Sequence, residues 1–126
     1  MMQTSTFGKS YKDAEIIIKQ GEPGDSLYVV QKGLVEIVKE TNRGDVLLAR
    51  RGKGEIFGEM AVFDHAARSA TVRSVGESYV LTIDKKNLMR RIHEDPSVVF
   101  RLLHSMSTQI RELNSQVADL KISTCK

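Results

Sequence analysis

Residues 57–72 read FGEMAVFDHAARSATV. The stretch is mostly small and apolar. Yet Glu59 follows Gly58 directly, and Arg68 stands nine positions after Glu59. Gly58 removes a side chain where backbone must turn or be approached closely. Glu59-Met60-Ala61-Val62-Phe63 can form a helical turn, which leaves the amides of Glu59, Met60 and Ala61 unpaired at its start. Free amides of that kind favour a phosphate. A phosphate also favours a planar guanidinium making two parallel bonds. Arg68, expected at the start of the next strand, can fold back toward those amides, and the Ser69 hydroxyl can donate to a phosphate oxygen. An ionised Glu59 only accepts, so it should face a donor such as a sugar hydroxyl. One phosphate and one ribose hydroxyl in an apolar pocket describe a nucleotide. The same two charges would equally serve an internal Glu59–Arg68 salt bridge tying loop to strand.

Outward from this stretch the chain reads as short strands and glycine-marked turns. Ile16, Ile17 and Ile18 are β-branched and run into Gly21-Glu22-Pro23-Gly24-Asp25, a dense turn signal. Leu27–Val30 and Val35–Lys39 read as two strands parted by a turn at Gln31-Lys32-Gly33. Thr41–Asp45 is a further turn, Val46–Ala49 a strand, and Gly52-Lys53-Gly54 closes it. Ser69–Val75 and Tyr79–Ile83 are again β in character. Short strands about ten residues apart indicate a small sandwich or barrel. The character changes at Asp84, which can cap a helix bearing Leu88, Met89 and Ile92. Asp95 and Pro96 then suit the cap and first position of a second helix. No glycine or further proline interrupts residues 96–120, so that helix would be about 37 Å long.

The long helix places Val99, Leu103, Met106, Ile110, Leu113, Val117 and Leu120 at alternating spacings of four and three. That is an a/d seam. Phe100 and Leu102 widen the apolar face early, and it narrows to the seam later. The first turns therefore suit packing on the barrel and the later ones a second helix. A two-fold-related copy is the expected partner, through Met106, Ile110, Leu113, Val117 and Leu120. An amphipathic helix folded back on its own domain is the other reading.

Composition removes several classes. The 126 residues suffice for one domain. Hydrophobic residues make up 40% and charged residues 28%, as in ordinary globular chains. No apolar run approaches the roughly 20 residues needed to cross a bilayer, and MMQTSTFGKS lacks a secretory core. One cysteine, Cys125, cannot build a disulfide framework or a cysteine-rich metal site. The expectation is a cytoplasmic protein with no membrane partner. A net charge of +3 permits an anionic ligand without arguing for nucleic acid. His65, His93 and His104 are scattered, so no metal is expected. No G-x-S-x-G, Walker loop or Cys–His pairing suggests catalysis, and the protein is expected not to be an enzyme.

Phe57-Gly58-Glu59-Met60-Ala61-Val62 and Arg68-Ser69-Ala70-Thr71-Val72 resemble the phosphate-binding cassette of the cyclic nucleotide-binding domain family. Gly21, Gly24-Asp25, Leu27-Tyr28-Val29-Val30 and Lys32-Gly33 are similar to the same family's G-x-x-G-D-x-x-Y-x-[VI]-x-x-G run. The resemblance covers about residues 11–122, and it is nearest to the effector domains of catabolite activator-like regulators. It departs at Ala67, where proline often precedes the arginine; that loosens the loop slightly and leaves the charges in place.

The resemblance implies an antiparallel jelly-roll β-barrel followed by helices. On this reading residues 1–10 form a flexible N-terminus. Residues 11–95 form the barrel with its cassette and following helix, and residues 96–122 the long helix that serves as dimer interface and ligand lid. Glu59 would take the ribose 2′-hydroxyl and Arg68 the exocyclic phosphate oxygens. Gly58, Met60 and Ala61 would contribute mainly backbone, and Ser69 a hydroxyl. One phosphodiester charge suits one arginine without a metal, so no cofactor is implied. On the long helix, Asn114 with Gln109 or Ser107 would reach the base. The ligand expected is cyclic AMP, with cyclic GMP the alternative. No helix-turn-helix follows before Lys126, so no nucleic acid is expected to bind this chain directly. The chain would be a stand-alone sensor or the effector domain of a longer transcription regulator, kinase or channel. A second function is a non-binding barrel acting as a dimerisation or protein-interaction module.

Overall fold

The structure, a computed structural model, describes residues 7–124. Part of the expected flexible N-terminus and all of Cys125 lie outside the described residues. The elements run β1 (Phe7–Tyr11), β2 (Ile16–Ile18), β3 (Ser26–Thr41), β4 (Gly44–Gly52), β5 (Ile56–Phe57), α1 (Met60–Asp64), β6 (Thr71–Asp84), α2 (Lys85–Glu94) and α3 (Ser97–Thr124). They fall into two compact units, Met1–Arg90 and Arg91–Lys126. The division lies inside α2.

In the first unit all pairings are antiparallel, in the order β1-β6-β3-β4, with β2 on β6 and β5 on β3. This is the antiparallel jelly-roll expected from the sequence. Two long strands carry it. β3 pairs with β6 from Ser26↔Asp84 to Val38↔Thr71, and the register shifts on either side of Lys32. Gln31-Lys32-Gly33, expected as a turn, is therefore an irregularity inside one bent strand. Gly33 has φ 87°, and a Cβ there would stand 2.4 Å from the Glu77 carbonyl oxygen. Opposite it, Gly76 breaks β6 at φ 69° and donates its N–H to Asp13 Oδ1 at 2.7 Å. Each long strand thus does the work of two by bending at a glycine.

The bends explain which side chains face inward. Along β3 the buried residues are Leu27, Val30, Val35 and Val38; the odd steps from Val30 to Val35 and from Val35 to Val38 each contain a register shift, beside Lys32 and between Ile37 and Val38. With Tyr11, Ile18, Phe57, Val72 and Val80 they make the core. Phe57 stacks on Tyr28 at 5.2 Å between ring centres, with 10° between planes. Ser10 and its neighbours pair with β6, Ser10 lying opposite Tyr79.

Asp84 caps α2, its Oδ1 accepting the Asn87 N–H at 2.8 Å. In the second unit Asp95 Oδ1 accepts both the Ser97 N–H at 3.1 Å and the Ser97 hydroxyl at 2.7 Å. Those bonds hold the Asp95 carboxyl below its usual range. The cap and Pro96 stand where the sequence puts them. Along α3, Leu103, Ile110, Leu113, Val117 and Leu120 are all exposed in the single chain, while Leu102 is buried. Among the described residues no helix is long and apolar enough to cross a membrane.

Candidate functional site

The cassette runs from the end of β5 through α1 to the start of β6. Gly58 leaves β5 at φ 76°, a left-handed conformation that L side chains rarely adopt. A Cβ there would meet Ile18 Cδ1 at 2.9 Å, Arg68 Nη1 at 3.0 Å and Tyr28 Cδ1 at 3.2 Å. Glycine is thus required twice, for its dihedral and for space. Glu59 then occupies the cap position of α1, and its side chain makes no capping bond. The first turn bond runs from the Val62 N–H to the Glu59 carbonyl at 3.1 Å, so the Glu59, Met60 and Ala61 amides precede it. Ala61 and Val62 anchor the turn inward, whereas Met60 and Phe63 are exposed. His65 closes the turn in the left-handed region, its N–H on the Ala61 carbonyl at 3.1 Å.

Arg68 lies in the loop before β6, which begins at Thr71 rather than at Arg68 or Ser69. Its backbone is fixed by two bonds to the turn after β2. The Arg68 N–H donates to the Glu22 carbonyl at 2.9 Å, and the Gly21 N–H donates to the Arg68 carbonyl at 2.8 Å. Its guanidinium is buried. Nη1 donates to the Gly58 carbonyl at 2.7 Å and Nη2 to the Ser26 carbonyl at 2.8 Å. The Tyr28 ring lies 5.7 Å from the guanidinium carbon. The structure therefore brings Arg68 onto Gly58 itself. Ser69 is exposed, and its carbonyl accepts from Lys39 Nζ at 2.9 Å.

The internal Glu59–Arg68 salt bridge does not form. Among the described residues Arg68 pairs with no carboxylate. Glu59 is 5% exposed, and among the described residues its carboxylate accepts no hydrogen bond. Among the described residues the buried Arg68 cation meets two carbonyl dipoles and the Tyr28 ring but no carboxylate, and the buried Glu59 carboxylate has no donor. Such groups are costly unless something completes them.

Two neighbours escape a residue-by-residue reading. Gly24 does not need a positive φ. It needs space, because a Cβ there would stand 2.4 Å from Arg68 Nε and 2.5 Å from Nη2. Tyr28 supplies the ring beneath the same guanidinium. Both lie in the G-x-x-G-D-x-x-Y pattern, which is the only signal the sequence carries for them. Gln109 and Asn114 lie on α3 in the second unit; Gln109 Nε2 stands 3.4 Å from Ser105 Oγ, and Asn114 is exposed. Among the described residues no three His, Cys, Asp or Glu side chains group closely enough to hold a metal ion.

The sequence model of the family described as cyclic nucleotide-binding domain matches residues 8–95. A CRP-like cAMP-activated global transcriptional regulator of Mycobacterium tuberculosis is 30% identical over 105 residues, covering 82% of this chain and 47% of that protein. A putative potassium channel protein of Rhodopseudomonas palustris is 33% identical over 109 residues, covering 85% of this chain and 26% of that one. The crystal structure of Thermus thermophilus catabolite activator protein superposes with a TM-score of 0.80 at 28% identity, covering 92% of this chain and 55% of that one. The chain thus spans about half the length of the mycobacterial regulator and about a quarter of the channel.

Proposed function

This chain belongs to the cyclic nucleotide-binding domain family, and we propose that it is a sensor that binds a 3′,5′-cyclic nucleotide, cyclic AMP in preference to cyclic GMP. The observation that carries the reading is the pair of buried, uncompleted charges Arg68 and Glu59. Arg68 uses Nη1 and Nη2 on carbonyls, and further donors of the guanidinium fork remain for phosphate oxygens. The phosphodiester carries one negative charge, which one guanidinium balances. The amides before the first α1 bond add donors, and Ser69 adds a hydroxyl. Glu59 accepts the ribose 2′-hydroxyl. Gln109 and Asn114 are the α3 side chains proposed to select the base. The preference for cyclic AMP is supported by the name of the mycobacterial relative.

The role is regulatory rather than catalytic, and the setting cytoplasmic. Two copies associate through the α3 seam, and ligand shifts the population between two arrangements of the helix pair, provided it binds them unequally. The output belongs to a longer transcription regulator, kinase or channel. A thermal-shift panel tests the reading. At 100 times its dissociation constant a ligand adds about 2.7 kcal/mol to stability. Cyclic AMP should raise the melting midpoint, cyclic GMP less, and plain AMP not at all. Silence toward all three supports the other reading, a barrel that serves only as an interaction module.

A further inference from the structure

The β3–β6 ladder ends at Val38↔Thr71. Beyond it, residues 68–70 have no backbone partner in β3, and side chains take over. The Gln20 amide behaves as one more strand residue for Glu40. Its Oε1 accepts the Glu40 N–H at 2.8 Å and its Nε2 donates to the Glu40 carbonyl at 3.1 Å. The Glu40 carboxylate accepts Lys19 Nζ on both oxygens, at 3.0 and 2.8 Å, and accepts the Thr71 hydroxyl. Thr71 Oγ1 in turn accepts the Gln20 N–H at 3.0 Å, and Thr71 is 2% exposed. One knot therefore ties together three distant points of the chain: Lys19-Gln20, Glu40 and Thr71.

The knot leads to Arg68 from both sides. Gln20 is followed by Gly21 and Glu22, whose N–H and carbonyl make the two backbone bonds to Arg68. Thr71 stands three residues after Arg68 on the other flank. We propose that Glu40 and Gln20 are positioning residues for Arg68: they touch no ligand, and they fix the two chain segments that aim its guanidinium. The inference rests on the reading of Arg68 as the phosphate ligand. Its geometric part concerns the ligand-free protein and is measurable there.

The test uses the full chain with Glu40→Ala and, separately, Gln20→Ala, which removes both side-chain bonds while keeping the carboxylate. The side-chain Nε–H resonance of Arg68 is identified by its loss in Arg68→Ala and followed by nuclear magnetic resonance without ligand. In both variants it should move and exchange with water several times faster. Cyclic AMP affinity by calorimetry should fall about tenfold, the upper end of the scale for losing one ordinary hydrogen bond. In an Arg68→Ala background Glu40→Ala should cost nothing more, because its effect passes through that guanidinium. An unchanged Arg68 resonance in the folded Gln20→Ala protein would overturn the inference, as would affinities within twofold of wild type. Equal Glu40→Ala losses with and without Arg68 would reduce the knot to general stability. A wild type that binds no cyclic nucleotide defeats the ligand reading instead, and the resonance then decides the positioning alone.

Discussion

Glu59 and Arg68, the two buried charges of the cassette, are not paired with each other. The Arg68 guanidinium is held by the Gly58 and Ser26 carbonyls, and among the described residues the Glu59 carboxylate accepts no hydrogen bond. Opposite charges in one short segment would ordinarily neutralise one another. On the proposed reading the phosphodiester is the partner of Arg68 and the ribose 2′-hydroxyl the partner of Glu59.

For Glu59 this makes the ribose the deciding probe. Glu59→Ala should weaken cyclic AMP binding by about 1–3 kcal/mol, the cost of an unmade hydrogen bond in a buried site, or roughly 5- to 150-fold. It should not weaken binding of 2′-deoxy-cyclic AMP. Calorimetry with both nucleotides checks this, and equal losses for the two would remove the 2′-hydroxyl assignment.

Gly24 is expected to be intolerant for a spatial reason. In Gly24→Ala the new Cβ would lie 2.4 Å from Arg68 Nε, and the planar head, pinned by two carbonyls, must move. Overpacking of this kind costs about 1–3 kcal/mol, here taken from the ligand-competent position of Arg68. Cyclic AMP affinity should drop, while Gly21→Ala, at a position with open space but φ 88°, should affect folding stability more directly. Titration of the two variants beside their thermal midpoints separates these effects.

The α3 seam leads to an oligomeric expectation. Ile110 and Leu113 are 56% and 57% exposed in the single chain, which suits residues that pack on a second helix. Wild type should sediment as a dimer and Leu113→Glu as a monomer. Identical sedimentation of the two proteins over a range of concentrations would contradict the seam.

Glu40 sets a pH dependence whose sign follows from its surroundings. Hydrogen bonds from Lys19 and then Thr71 hold its carboxyl below the ordinary value of 4.5. A depressed carboxyl contributes stability that is present above the unfolded value and is lost as pH falls through the folded one. The gap in melting midpoint between wild type and Glu40→Gln should therefore narrow on acidification below about pH 4.5. Asp95, lowered by Ser97, is common to both proteins and cancels. Parallel midpoint curves down to the acid limit would show that the carboxylate contributes nothing.

How much of this the sequence disclosed depends on what each residue needs. Gly58, Glu59 and Arg68 were legible because their chemistry is local: a positive φ, a short turn, two opposite charges. The caps at Asp84 and Asp95 were legible for the same reason. Gln31-Lys32-Gly33 reads as a turn because a glycine marks a turn and a bulge alike; only the pairing of β3 with β6 tells them apart. Gly24 gave no dihedral signal, since what it makes room for is an arginine 44 positions away. The acceptors on Arg68 are backbone carbonyls, which leave no mark in the side-chain record. The Gln20–Glu40–Thr71 knot joins three segments that are distant along the chain, and no periodicity brings them together.

The central claim is that the Arg68 guanidinium receives a cyclic phosphate, and calorimetric titration of wild type against Arg68→Ala with cyclic AMP tests it most directly. Removing one partner of a buried charge pair costs about 2–5 kcal/mol, so the variant should bind roughly 30- to several thousand-fold more weakly. Equal affinities for the two proteins would contradict the account.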